Sequence, residues 1–118
     1  VSLHHLALRV ADPVRSARFY TAALGLAVVA EHAGEDGAAR SVWLALGDAV
    51  LMLERAIKLE GGEGSGHVLV VGADDLAAAE ARLRDAGATV LERTAATLYF
   101  RDPDGHRVGV SVFRFAGR

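Results

Sequence analysis

The chain matches itself at an offset of 62 residues. His5 falls on His67, Ala11 on Ala73, Asp12 on Asp74, Ala17 on Ala79, Gly25 on Gly87 and Val28 on Val90, with apolar pairs such as Leu6 on Val68 and Leu8 on Val70 between them. A repeat of this kind makes each half a supersecondary unit that buries its apolar face by packing on its copy. Between the halves runs Glu60-Gly61-Gly62-Glu63-Gly64-Ser65-Gly66, a segment with the composition of a flexible joint. The 118 residues therefore read as one domain, residues 1–118, built from modules 1–58 and 67–118 around a joint at 59–66.

Each module reads as a strand, a helix and three further strands. In the first, residues 3–10 are rich in β-formers, and Asp12-Pro13 then supplies an N-cap with proline at the first helical position. Val14, Ala17, Phe19 or Tyr20, and Leu24 keep a helical period, and Gly25 stands where a left-handed residue closes a helix. Strands follow at 28–32, 40–46 and 49–55, the last two joined by the Gly47-Asp48 turn. The second module repeats the order: a strand at 67–71, a helix from Asp74 or Asp75 to Ala86 closed by Gly87, and strands at 89–94, 97–101 and 106–115.

Alternation along the strands separates two faces. One is wholly apolar and belongs under the helices: Leu6, Leu8 and Val10, Leu51 and Leu53, Val108, Val110 and Val112. The other collects His5, Ala7 and Arg9, Ser41, Trp43 and Ala45, Val50, Met52 and Glu54, His67 and Leu69, Thr97, Tyr99 and Arg101, and Arg107, Gly109, Ser111 and Phe113. A largely apolar surface with a few convergent polar groups is the composition of a small-molecule pocket.

Composition limits the chemistry available. There is no cysteine, so any metal must be held by His, Asp or Glu. Thirteen basic and fifteen acidic residues are interspersed and give a net charge of −2, which offers no footprint for nucleic acid. No apolar run approaches the ~20 residues that span a bilayer, and no signal pattern opens the sequence, so a cytoplasmic protein without membrane attachment is expected.

The stretch His5-Leu-Ala-Leu-Arg-Val-Ala-Asp12, the helix end Arg18-Phe19-Tyr20 with Leu24-Gly25-Leu26, and the turn Arg101-Asp-Pro-Asp-Gly-His106 together resemble the vicinal oxygen chelate superfamily. That group includes glyoxalase I, methylmalonyl-CoA epimerase, extradiol dioxygenases, fosfomycin-resistance enzymes and bleomycin-resistance binding proteins. The resemblance spans both modules and implies an α+β fold: two tandem βαβββ modules forming a curved, cup-like mixed sheet with the helices outside. A small-molecule site inside the cup and a homodimer are further expectations, the cup being made by one chain or by two.

Enzymes of the family hold a divalent ion on the inner face. The resemblance places metal ligands at His5 and His67, with Fe, Mn, Zn or Ni as candidate ions, while the usual acidic positions fall on Gly109 and near Met52. Glu54, on the face of Met52, could complete a two-histidine, one-carboxylate set and also act as the catalytic base. Arg9 matches a position that engages a substrate carboxylate, and Arg101 could do the same from the second module. Trp43 and Tyr99 could sandwich a planar ligand, with Met52 and Ser111 beside them. Two functions follow: a metal-dependent lyase, isomerase or dioxygenase, or a metal-free protein that sequesters an antibiotic or metabolite. The retained histidines favour the first and the missing carboxylates the second.

Overall fold

The computed structural model describes residues 2–55 and 66–115. Its elements run β1 (His5–Val10), α1 (Pro13–Leu24), β2 (Val28–Ala33), β3 (Ala39–Leu46), β4 (Ala49–Arg55), β5 (Leu69–Gly72), α2 (Leu76–Asp85), β6 (Glu92–Arg93), β7 (Thr97–Arg101) and β8 (Arg107–Ser111). This is the βαβββ order twice over. Apart from Gly66, the glycine-rich joint at 59–66 falls outside the described residues.

Helix α1 starts and stops where its sequence dictates. The Asp12 carboxylate accepts hydrogen bonds from the backbone N–H groups of Val14 and Arg15, Pro13 occupies the first turn, and Gly25 closes the helix at φ 71°. Pro13, Ser16, Ala17, Tyr20 and Ala23 make its buried face. Helix α2 is capped by Asp75, whose side chain accepts from Ala78 N–H, and Arg82 and Arg84 lie in its last turn against the negative end of the helix dipole.

The strands form two mixed four-stranded sheets, ordered β1-β4-β3-β2 and β5-β8-β7-β6, in which the first and last strands of each module pair in parallel. Strand β6 is only two residues long, although the sequence suggests six. The chain before it still follows β7, through a 2.8 Å bond from Leu91 N–H to the Tyr99 carbonyl, without building a regular ladder.

Both sheets turn one face to a single core. Leu8, Val10, Val42, Leu44, Leu51 and Leu53 enter it from the first sheet and Leu98, Phe100, Val108 and Val110 from the second. Helix α1 lies over β3 and β4, α2 touches β7 and β8, and the two helices pack on each other. No helix among the described residues is long and apolar enough to cross a membrane.

The turn at Asp102 to His106 fastens the modules together. Asp104 accepts from Ala11 N–H at 2.9 Å and Ser16 Oγ at 3.1 Å, and pairs with Arg15. The buried His106 donates from Nε2 to the Arg9 carbonyl at 2.8 Å. With the helix dipole and backbone amides of α1 at hand, a turn with two aspartates is well suited to this junction.

The repeat is shifted by one residue in its opening strand and cap. Asp12 caps α1 and Asp75 caps α2, a spacing of 63, whereas Gly25 and Gly87 remain 62 apart because the stretch from capping aspartate to glycine is one residue shorter in the second module. Pairing gives the same result, since Leu6 and Leu8 face Leu51 and Leu53 while Leu69 and Val71 face Val108 and Val110. A one-residue slip turns a strand over. Leu69 therefore lies on the core face, not on the pocket face expected for it, and Val68 and Val70 take the pocket side.

Candidate functional site

The face of the first sheet turned away from the core is ordered in rows across the strands. Arg9, Glu54, Ser41 and His32 stand in register across β1, β4, β3 and β2; Ala7, Met52, Trp43 and Ala30 form the next row; His5, Val50 and Ala45 the third. The middle row carries the aromatic platform. Trp43 donates its indole N–H to Ser41 Oγ at 2.6 Å, and His32 packs against the indole with 4.6 Å between ring centroids. These contacts hold Trp43 in one orientation from two sides. His32 Nε2 is buried and has no hydrogen-bond partner among the described residues.

The corresponding face of the second sheet carries Tyr99, Gly109, Thr97, Ser111 and Arg107. Gly109 has a packing reason to lack a side chain: a Cβ there would lie 3.1 Å from the Tyr99 ring and 3.2 Å from Val70. Tyr99 lies across this gap, and the Arg107 guanidinium sits 4.7 Å from its ring centre while donating to Glu92 at 2.7 Å. Thr97 Oγ1 donates to Ser111 Oγ at 2.7 Å. Thr97, Tyr99 and Ser111 line an open cavity of about 580 Å³ together with Val68, Val70, Phe113 and Phe115, within the usual size of a ligand site. Every residue of that lining comes from the second module.

The expected metal ligands do not converge. His5 and Glu54 share a face, but Glu54 pairs with Arg9, four residues beyond His5, which is roughly 13 Å at the strand rise. Ligands of one ion bonded at about 2.0–2.2 Å must come within roughly 4.4 Å of each other. His67 precedes β5, and its ring lies 5.7 Å from that of His106 at the module junction. Its counterpart in the first module, at the spacing of the two helix caps, is His4, whose Nδ1 lies 2.9 Å from that of His5. A side chain at Gly109 would crowd the Tyr99 ring. Among the described residues of the single chain, no three His, Asp or Glu side chains are grouped to hold an ion.

The remaining candidates divide between the two faces. Arg9, Met52, Trp43 and Glu54 lie on the first, Tyr99 and Ser111 on the second. Arg101 donates to the Gly105 carbonyl at 2.8 Å and so braces the turn that follows it. His32 and Arg107 were not singled out from the sequence. Register shifts on either side of the 30–32 segment obscure the alternation that would have put His32 beside Trp43. Arg107 has the right parity in the sequence, but its contact with Tyr99 depends on how β7 and β8 pair.

Comparison with known proteins agrees with this architecture. Residues 2–110 match the model of the Glyoxalase/Bleomycin resistance protein/Dioxygenase superfamily. The chain is 30% identical over 125 residues to a glutathione transferase, FosA, of Serratia marcescens, covering 99% of this chain and 84% of that protein. An integron cassette protein from the mobile metagenome of V. cholerae is similar in structure, with TM-score 0.73, 29% identity and coverage of 97% of this chain and 96% of that one. TnmS3, an antibiotic binding protein from Streptomyces sp. CB03234, shares the fold with TM-score 0.72 and 24% identity over 94% of each chain. The chain belongs to the Glyoxalase/Bleomycin resistance protein/Dioxygenase superfamily.

Proposed function

We propose that this protein is a metal-independent, homodimeric binding protein that holds a planar, largely apolar small molecule between Trp43 of one copy and Tyr99 of the other. The observation that carries the reading is the placement of the two aromatic faces. Both sheets cover one core, so their ligand-type faces look away from each other, and the second-face cavity is walled by one module alone. A second copy would close each half. Val68, Val70, Phe113 and Phe115 leave an exposed apolar surface on that face, the kind of patch that marks an interaction site. The fold itself is compatible with such a role, since TnmS3 is an antibiotic binding protein.

The competing reading, a metal-dependent lyase, isomerase or dioxygenase using Fe, Mn, Zn or Ni, draws support from the likeness to FosA, a transferase by name. It requires His5, His67 and Glu54 to act on one ion, and within one chain His5 and Glu54 stand roughly 13 Å apart along their shared face.

The test combines light scattering with fluorescence of Trp43, the only tryptophan. A dimer whose Trp43 emission is quenched by planar aromatic compounds, equally with and without EDTA, supports the proposal. A monomer at micromolar concentration, or quenching that requires an added divalent ion, overturns it.

A further inference from the structure

Arg9 and Glu54 are direct partners across the parallel β1–β4 pair, on the same face and one row from Trp43. Neighbouring strands bring such side chains about 4.8 Å apart at the backbone. Yet among the described residues neither forms an ion pair, with the other or elsewhere. Arg9 is exposed and Glu54 half-buried, and both belong to the sheet face that carries Trp43. An arginine can only donate hydrogen bonds, and an ionised carboxylate can only accept them.

We infer that the Arg9–Glu54 pair selects neutral planar ligands whose edge carries an acceptor and a donor side by side, such as a carboxamide or a hydroxy-carbonyl group. This rests on the planar-ligand reading above and adds the chemistry of the ligand's edge. A ligand carboxylate would gain from Arg9 but bring a second anion against Glu54. An amidinium would gain from Glu54 but face Arg9. A carboxamide satisfies both: its oxygen accepts from the guanidinium and its N–H donates to the carboxylate, each contact being charge-assisted on one side. Arg9 alone suggests a site for anionic ligands, and the partner across the strand reverses that preference.

Three isosteric probes separate the possibilities: 2-naphthamide, 2-naphthoate and 2-naphthamidine. Their binding to the intact protein is followed by calorimetry and by the single Trp43 indole N–H resonance. The expected result is that 2-naphthamide binds at least about tenfold tighter than either charged probe, a gap of about 1.4 kcal/mol. Glu54→Gln should then narrow the gap to 2-naphthoate at least fivefold, and Arg9→Gln should narrow the gap to 2-naphthamidine likewise. If 2-naphthoate binds tightest, or all three bind alike, the edge selection is wrong while the planar-ligand reading stands. If none of the probes shifts the Trp43 resonance, both fail. The ranking by the unmodified protein is decisive by itself should either variant fold poorly.

Discussion

The Tyr20 hydroxyl donates a 2.6 Å hydrogen bond to Oδ2 of Asp102 inside the core, tying the helix of the first module to a turn of the second. Asp102 Oδ1 accepts from the N–H groups of Asp104 and His106, so the tyrosine is the partner given for the second oxygen. The carboxylate holds the turn that in turn grips the start of α1.

Removing that donor should cost about 1–3 kcal/mol, the usual penalty for leaving a buried polar atom without its partner. Burial first, then the charge of Asp102 and its hydrogen bond, push the Tyr20 phenol far above its ordinary range. An unfolded phenol ionises near pH 10, whereas the folded one keeps its proton. Above that pH the folded state binds a proton that the unfolded state has released, so the contribution is complete below about pH 10 and declines as pH rises past it. Urea unfolding of Tyr20→Phe should show lower stability at pH 7 and a shallower loss between pH 9 and 11. A variant with unchanged stability at pH 7 would contradict the assignment.

Gly109 packs closely beneath the Tyr99 ring. Gly109→Ala should place a methyl group against the ring and cost about 1–3 kcal/mol, as overpacking commonly does. Calorimetry would register this as a fall in Tm, and near-ultraviolet circular dichroism as a change in the tyrosine signal. The double variant Gly109→Ala, Tyr99→Leu should recover part of the loss, because the clash needs both side chains. Equal losses in the presence and absence of Tyr99 would refute the packing explanation.

Much of this arrangement could be read from the sequence where the signal was local. Asp12-Pro13 and Gly25 bound α1 without reference to anything distant, and strict alternation in residues 49–55 and 107–111 assigns Met52, Glu54, Gly109 and Ser111 to their face. The misplacement of Leu69 has a physical cause. Identity matching tolerates a slip of one residue, but a strand does not, since the slip exchanges its two sides. Matching His5 to His67 aligned two histidines and misaligned the apolar residues around them; the cap Asp75 and the partners of Leu69 give the true spacing. The paired roles of Arg9 with Glu54 and of His32 with Trp43 depend on cross-strand register, which a single strand's sequence does not contain.

His32 illustrates the same point and gives a third prediction. Its Nε2 is buried and has no hydrogen-bond partner among the described residues, while its ring packs on Trp43. Phenylalanine keeps a flat ring of similar size and removes the unsatisfied nitrogen. His32→Phe should therefore be neutral or stabilising by up to about 1 kcal/mol, whereas His32→Ala should lower stability and free the indole. Chemical denaturation measures the first effect and Trp43 fluorescence anisotropy the second. A clear destabilisation by phenylalanine would mean that the nitrogen has a partner after all.

A cup built from two copies makes a complementation prediction that a cup within one chain does not. Trp43→Leu and Tyr99→Leu should each abolish binding of a planar ligand when purified alone, because every cup in either homodimer lacks one aromatic wall. Mixed and allowed to exchange subunits, the two variants form a heterodimer in which one cup receives Trp43 from one chain and Tyr99 from the other, and its second cup receives neither. Random exchange of equal amounts puts about half the chains in heterodimers with one working cup of two, so binding capacity should return to roughly a quarter of the unmodified level. Calorimetric titration of the mixture counts those sites directly. Capacity that stays at zero after exchange has been verified by mass spectrometry would place both aromatic walls within one chain, and the proposed dimeric site would have to be abandoned.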